Sequence, residues 1–156
     1  MRKLREKYPF EYMLCGIHEL GDICFCCHDS FEKCFSRYSV EEAVDRYTAA
    51  VIAACESGVF QTIAHLDYLR KYGLEYYGPR LDDLMVERAA EPIFSALKDS
   101  ETALEINTSG MRREHKDYFP RVRLLNLARR SGVSIRYLGS DAHAPERVGY
   151  DFDTAA

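Results

Sequence analysis

The sequence predicts an α/β domain with a parallel sheet, and three observations carry the prediction. Short β-prone runs alternate with helical patterns along the whole chain, as in βαβ units. The runs are short and apolar, as strands buried between layers are. Each run also ends in histidine, carboxylate or amide side chains, which gather at the C-terminal rim of parallel sheets and (β/α) barrels.

The elements follow in order. EYMLCGIH, Glu11 to His18, reads as the first strand. Ser39-Val40-Glu41-Glu42 is a capping box. Behind it Val40, Ala43, Val44, Tyr47, Val51 and Ala54 keep helical spacing, and Gly58 stands where a C-terminal cap belongs. VFQTIAH, Val59 to His65, reads as a short buried strand. A helical stretch from Leu81 to Leu97 contains Pro92, a kink or break. TALEIN, Thr102 to Asn107, is the third strand. Pro120 stands near the start of a helix that runs to Ser131 and stops at Gly132. SIRYLG is the last strand. Parallel strands of this kind are expected to be covered on both faces.

With 156 residues, 47% hydrophobic and 29% charged, the chain suits one compact domain or a piece of a larger one. A net charge of -4 with dispersed Lys and Arg gives no reason to expect nucleic acid or an anionic membrane as partner. No apolar run approaches a membrane span, and MRKLREKYPFEY lacks the apolar core of a secretory signal. The expected setting is therefore cytoplasmic, with reduced thiols. The six cysteines include the cluster ICFCCHDSFEKC. Its spacing, C-x-C-C-H-x5-C, is not the paired C-x2-C of structural zinc sites, and adjacent Cys26 and Cys27 do not easily face one ion. Small buried hydrophobes are the expected role, with a zinc-binding module as the competing one.

The polar residues at strand ends point to chemistry. Three of the five histidines, His18, His65 and His143, end strands, and Asp141 precedes His143 by two. A lone histidine there is ordinary core. Three with an aspartate at one rim favour a metal site, and nitrogen and carboxylate ligands together suit zinc, manganese or iron. His28 and His115 lie in polar stretches and read as solvated or structural. Arg70, Arg112 and Arg113 follow strand ends, where guanidinium groups can hold a phosphate, although surface charge is the ordinary role of any one of them. Asn107, Thr108 and Ser109 orient substrate or cap the next element.

CGIHEL, AHLDYLRKYG, LEINTSGMRREHKDYFP and LGSDAHAPERVG, in that order, resemble the polymerase and histidinol phosphatase (PHP) family, in its histidinol-phosphatase branch. The resemblance covers nearly the whole chain. It implies a distorted TIM-like barrel of seven βα units carrying three divalent metals at its C-terminal rim. By position His18 and His65 resemble ligands of one metal, Asp141 a ligand of a second and His143 of a third, with Asp141 and His143 as catalytic residues. Arg70 and Arg112 resemble the residues that hold substrate phosphate, with Asn107 and Ser109 beside them. The implied activity is metal-assisted hydrolysis of a small-molecule phosphomonoester, histidinol phosphate, in histidine biosynthesis.

The family opens with an H-x-H strand, a strand ending in histidine and one ending in a bridging glutamate. No H-x-H occurs here. Three βα units amount to about 90 residues, so residues 1–156 are expected to be the C-terminal portion of a PHP-type domain, about the last four βα units. Glu105, inside a strand, and Glu19, directed away from His18, are not expected to replace the bridging glutamate. A partial barrel has two open sheet edges, which invite a homodimer. The alternative is a non-catalytic α/β module that binds phosphorylated small molecules or a partner.

Overall fold

A computed structural model describes residues 2–156. Helix α1 (Arg2–Lys7) leads to strand β1 (Leu14–Cys15) and a hairpin of β2 (Glu19–Leu20) and β3 (Ile23–Cys24). Then come α2 (Phe31–Phe35), α3 (Val40–Glu56), β4 (Thr62–Ile63), α4 (Arg70–Tyr77) and α5 (Arg80–Leu84). A wide π turn, Met85–Ala89, joins α5 to α6 (Ala90–Asp99). Strand β5 (Ala103–Asn107) runs into a 3-10 turn (Thr108–Arg112), followed by α7 (Val122–Arg130), β6 (Ile135–Gly139) and a short closing helix, α8 (Phe152–Ala155).

Four strands form one parallel sheet in the order β1-β4-β5-β6. The predicted α/β class with a parallel sheet is therefore observed, but the first two strands are shorter than expected. Only Leu14 and Cys15 of the run Glu11 to His18 pair with β4, at Thr62 and Ile63. Gly21, at φ +66°, turns the following residues into the antiparallel β2–β3 hairpin, a shape that a positive φ permits. Neither the hairpin nor α4 is among the elements expected from the sequence.

Helix α3 forms as its pattern dictates. Glu42 N–H donates to Ser39 Oγ (3.2 Å) and Ser39 N–H donates to the Glu42 carboxylate (2.9 Å), closing the capping box. Such a cap is worth about 1 kcal/mol. Its buried stripe of Ala43, Val44, Tyr47, Val51 and Ala54 packs with Ile93, Phe94 and Leu97 of α6 in one core beneath Ile63 and Leu104 of the sheet. The break expected at Pro92 takes a different form. Pro92 sits in the first turn of α6, where a missing N–H costs least, and the helix widens just upstream through the π turn.

The expectation of two covered faces is corrected by the structure. Leu14, Thr62 and Ala103 stand in register on one face, with Glu105 opposite Tyr137 further along. Leu14, Tyr12 and Tyr137 remain exposed there. The core helices pack on the opposite face, and this one is covered only in part: Thr62, Ala103 and Glu105 on it are buried, whereas its tyrosines and Leu14 are exposed.

Candidate metal centre

The site begins where β1 and β4 end. Gly16 lies between the two imidazoles: a Cβ there would come within 2.8 Å of His65 Cε1 and 3.0 Å of His18 Nε2. Glycine therefore lets His18 Nε2 and His65 Nε2 approach to 3.2 Å. His65 takes a left-handed backbone, φ +54°, and its ring stacks on Tyr68 at 4.1 Å. Such a φ is uncommon outside glycine and clusters at functional positions. Only 4% of His65 is exposed, and its Nδ1 is buried without a protein partner. Burial first, and then the neighbouring His18, lower its pKa to about 4, so it is a neutral imidazole at neutral pH, the form that binds metal. Burial also lowers His18.

The pair fits a divalent ion. Metal–nitrogen bonds of about 2.1 Å to atoms 3.2 Å apart subtend about 100°, between octahedral and tetrahedral angles.

Asp141 and His143 come from the chain beyond β6. Asp141 also has a left-handed backbone, φ +47°, and its Oδ2 accepts from Tyr68 Oη at 3.5 Å. Arg112 Nη2 donates to the carbonyls of Ser140 (2.8 Å) and Asp141 (3.2 Å), fixing this turn. His143 Nδ1 lies 3.0 Å from the Asp141 carbonyl. A carbonyl only accepts, so the contact places a proton on Nδ1 and leaves Nε2 as the nitrogen that can face a ligand. His18, Asp141 and His143 line one cavity of about 610 Å³, with His65 against His18. The four predicted ligands thus stand around one rim but not at one point. Among the described residues, Asp141 and His143 do not join the imidazole pair in a group whose donor atoms all lie within 4.8 Å.

The predicted phosphate binders separate. Arg112 lines the cavity, and its Nη1 is buried without a partner. Ser109 Oγ is likewise buried without a partner, and Ser109 lines the cavity too. Arg70 lies elsewhere: it is 2% exposed and its guanidinium faces Asp82 (2.8 Å), Asp67 (3.3 Å) and Asp117 (3.8 Å). Three carboxylates occupy it, so the structure sets Arg70 in the protein's own framework. Asn107 caps the 3-10 turn: its Oδ1 accepts from Ser109 N–H (3.0 Å) and its Nδ2 donates to Glu105 (3.0 Å). Both ends of that amide are satisfied within the protein.

Three further cations line the cavity: Lys71, Arg113 and Arg147. Lys71 was missed because α4 was not read, and without its helical phase nothing separates Lys71 from Arg70. Arg147 stands in the motif PERVG and is not among the residues the sequence singles out.

Glu105, on β5, is buried. Gly139 makes room for it, since a Cβ at that position would collide with Glu105 Oε1 at 1.7 Å. Burial raises its pKa to about 7, against the lowering effect of the Asn107 hydrogen bond, with Asp141 adding to the rise.

The cysteines divide in a way the sequence reading did not foresee. Cys34 and Cys55 are buried, as expected of small hydrophobes. Cys24, Cys26 and Cys27 are not; their three sulfurs converge within 4.8 Å of one another. The objection that adjacent Cys26 and Cys27 cannot face one point fails because the chain turns at Cys27, whose carbonyl accepts from Ser30 N–H (3.1 Å) and Phe31 N–H (3.0 Å). His28 is solvated, as expected, and His115 is half-buried against Phe119.

No protein-family model matches the chain. Similar proteins are nevertheless found. A protein of Deinococcus radiodurans named "Probable histidinol-phosphatase" is 28% identical over 160 residues, covering 99% of this chain and 56% of its own length. One of Clostridium acetobutylicum with the same name is 27% identical over 161 residues, covering 99% and 58%. The chain thus spans little more than half the length of these relatives. Among solved structures, the protein named hisK of Listeria monocytogenes superposes with TM-score 0.79 at 19% identity, over 99% of this chain and 62% of that one. The histidinol phosphate phosphatase of Lactococcus lactis, solved with zinc, L-histidinol and phosphate, gives TM-score 0.65 at 24% identity, over 91% and 52%. In sequence and in fold, the chain is similar along nearly its whole length to part of a histidinol-phosphatase-type protein.

Proposed function

We propose that this chain carries part of the active site of a metal-dependent phosphomonoester hydrolase whose substrate is histidinol phosphate. One observation carries the reading: a close imidazole pair and an Asp141–His143 turn share a cavity with four cationic side chains. Histidine and carboxylate donors beside a basic pocket suit divalent ions and a phosphate dianion together. The names of the relatives and the zinc, histidinol and phosphate bound by the Lactococcus lactis protein support the same substrate.

In this reading His18 and His65 hold one ion, and Asp141 and His143 contribute to further positions. Zinc is the first choice, with manganese and iron also suited to these donors. When bound, the ions supply Lewis-acid chemistry, drawing charge from the phosphoryl oxygens. Arg112 Nη1 and Ser109 Oγ, buried and unpartnered, donate to phosphate oxygens. Lys71, Arg113 and Arg147 set the positive field that draws in the dianion. Asn107 holds the Ser109 turn, and Arg70 ties the start of α4 to α5 at Asp82 and to the loop at Asp117. The chain belongs, on this proposal, to the PHP family as the C-terminal four βα units of a TIM-like barrel. Its open sheet face and edges then serve a homodimer or the rest of such a barrel, in the cytoplasm.

The test is metal content by elemental analysis after loading with zinc or manganese, followed by phosphate release from histidinol phosphate. The wild type should retain more metal per chain than His65→Ala. Asp141→Ala should cut phosphate release about tenfold or more, the usual scale for loss of a group that supports a metal. A folded wild type that retains no more ion than His65→Ala, or release untouched by Asp141→Ala, overturns the proposal.

A further inference from the structure

We infer that Cys24, Cys26 and Cys27 form a second metal site, a three-thiolate seat for one zinc ion at the mouth of the cavity. The inference does not rest on the phosphatase reading.

Its basis is the way the chain aims three sulfurs. Strand β3 ends at Cys24, and the backbone bends through Phe25, Cys26 and Cys27; Phe25 is fully buried, while the thiols of Cys24 and Cys26 are left together outside the core. The turn after Cys26 then brings Cys27 around to them. Cys24 Sγ lies 3.4 Å from Cys26 Sγ and 2.6 Å from Cys27 Sγ. Tetrahedral zinc with bonds of about 2.3 Å sets its sulfurs about 3.8 Å apart. Rotation of the exposed Cys27 side chain opens the shorter gap to that spacing.

The backbone is held for this purpose by separate elements. Ser30 Oγ donates to the Cys24 carbonyl (2.7 Å), and Lys71 Nζ donates to the Cys26 carbonyl (2.6 Å). Phe25 N–H donates to the His18 carbonyl (3.1 Å), tying the thiol loop to the imidazole pair. Outer bonds of this kind orient ligands in metal sites. Three thiolates on one divalent ion leave one net negative charge, and Lys71 stands beside it. Thiolate donors select zinc over magnesium, calcium or manganese. A disulfide would use two of the sulfurs and leave the convergence of the third unexplained. Because Cys26 and Cys27 line the cavity, the fourth position of the ion opens into it, to water or a small anion.

The test uses cobalt(II) as a spectroscopic stand-in for zinc, added to the reduced, metal-stripped full chain. The wild type should develop a sulfur-to-cobalt charge-transfer band in the near ultraviolet, saturating at one ion per chain and bleached by zinc. The band should persist in the His65→Ala/Asp141→Ala double variant and disappear in Cys24→Ser and in Cys27→Ser, with circular dichroism checking that each is folded. A wild type that holds no histidine-bound metal but shows the band loses the phosphatase reading and keeps this one. No band in folded wild type, or a band that survives Cys24→Ser, overturns the thiolate site. So does a zinc-loaded chain whose thiols react with an aromatic disulfide reagent as fast as those of the stripped chain.

Discussion

Glu105→Gln is the perturbation whose size follows most directly from the structure. Burial pushes the Glu105 carboxyl from 4.5 up to about 7. At about 1.4 kcal/mol per pKa unit, keeping it ionised in the folded chain costs about 3 kcal/mol. The sign follows from proton counts. Between pH 4.5 and 7 the folded chain holds a proton there that the unfolded chain has released, so stability falls as pH rises through that window. The full contribution is present below 4.5 and gone above about 7. Glutamine has the same shape, stays neutral, and its Oε1 can still accept from Asn107 Nδ2. Urea unfolding followed by far-ultraviolet circular dichroism, with chelator present, should give equal stabilities near pH 4.5. Near pH 8 the variant should be more stable by about 3 kcal/mol, roughly 6–12 °C in Tm for a chain of this size. Asp67, which burial also raises, to about 6, is common to both proteins and cancels in the difference. Parallel curves across the whole range would refute the assignment of Glu105 as a buried, largely protonated acid.

Two other substitutions probe the framework. Arg70→Ala removes the cation that faces the buried Asp67, while Asp82 and Asp117 keep Arg121, and unfolding should cost about 3–5 kcal/mol less. Arg112→Ala should instead weaken binding of inorganic phosphate, measured by titration calorimetry, and the reverse pattern would return Arg70 to the substrate. Gly16→Ala places a methyl group against both imidazoles, and a chelator-competition assay should show zinc affinity at the histidine pair falling about tenfold or more in a folded chain. An unchanged affinity would mean that ions bind elsewhere.

Helix α3 was legible because its cap, its periodicity and its terminal glycine all agree, and local signals of that kind survive any tertiary context. The parallel sheet was legible from alternation, but strand length was not. Pairing in β1 and β4 ends after two residues each, where the chain leaves the ladder to aim His18 and His65 inward. Helix α4 escaped notice because its sequence, RKYGLEYY, holds a glycine and a mixed face, and its position is set by the Arg70 network rather than by propensity. That same network hid the role of Arg70, since an arginine after a strand looks alike whether it meets substrate or three aspartates of its own chain. The cysteines misled for the opposite reason. Spacing rules describe familiar zinc folds, whereas here one buried phenylalanine and one turn decide where three sulfurs point.

Tyr12 and Tyr137 meet edge to face at 4.9 Å on the sheet face that the helices leave bare. The chain contains no tryptophan and eleven tyrosines, so its intrinsic emission is tyrosine emission alone. Most of the buried rings sit among the helices, while this pair looks outward. Whatever covers the bare face dries these two phenols first. The protein therefore carries an optical reporter of any contact made on this face, readable without a label.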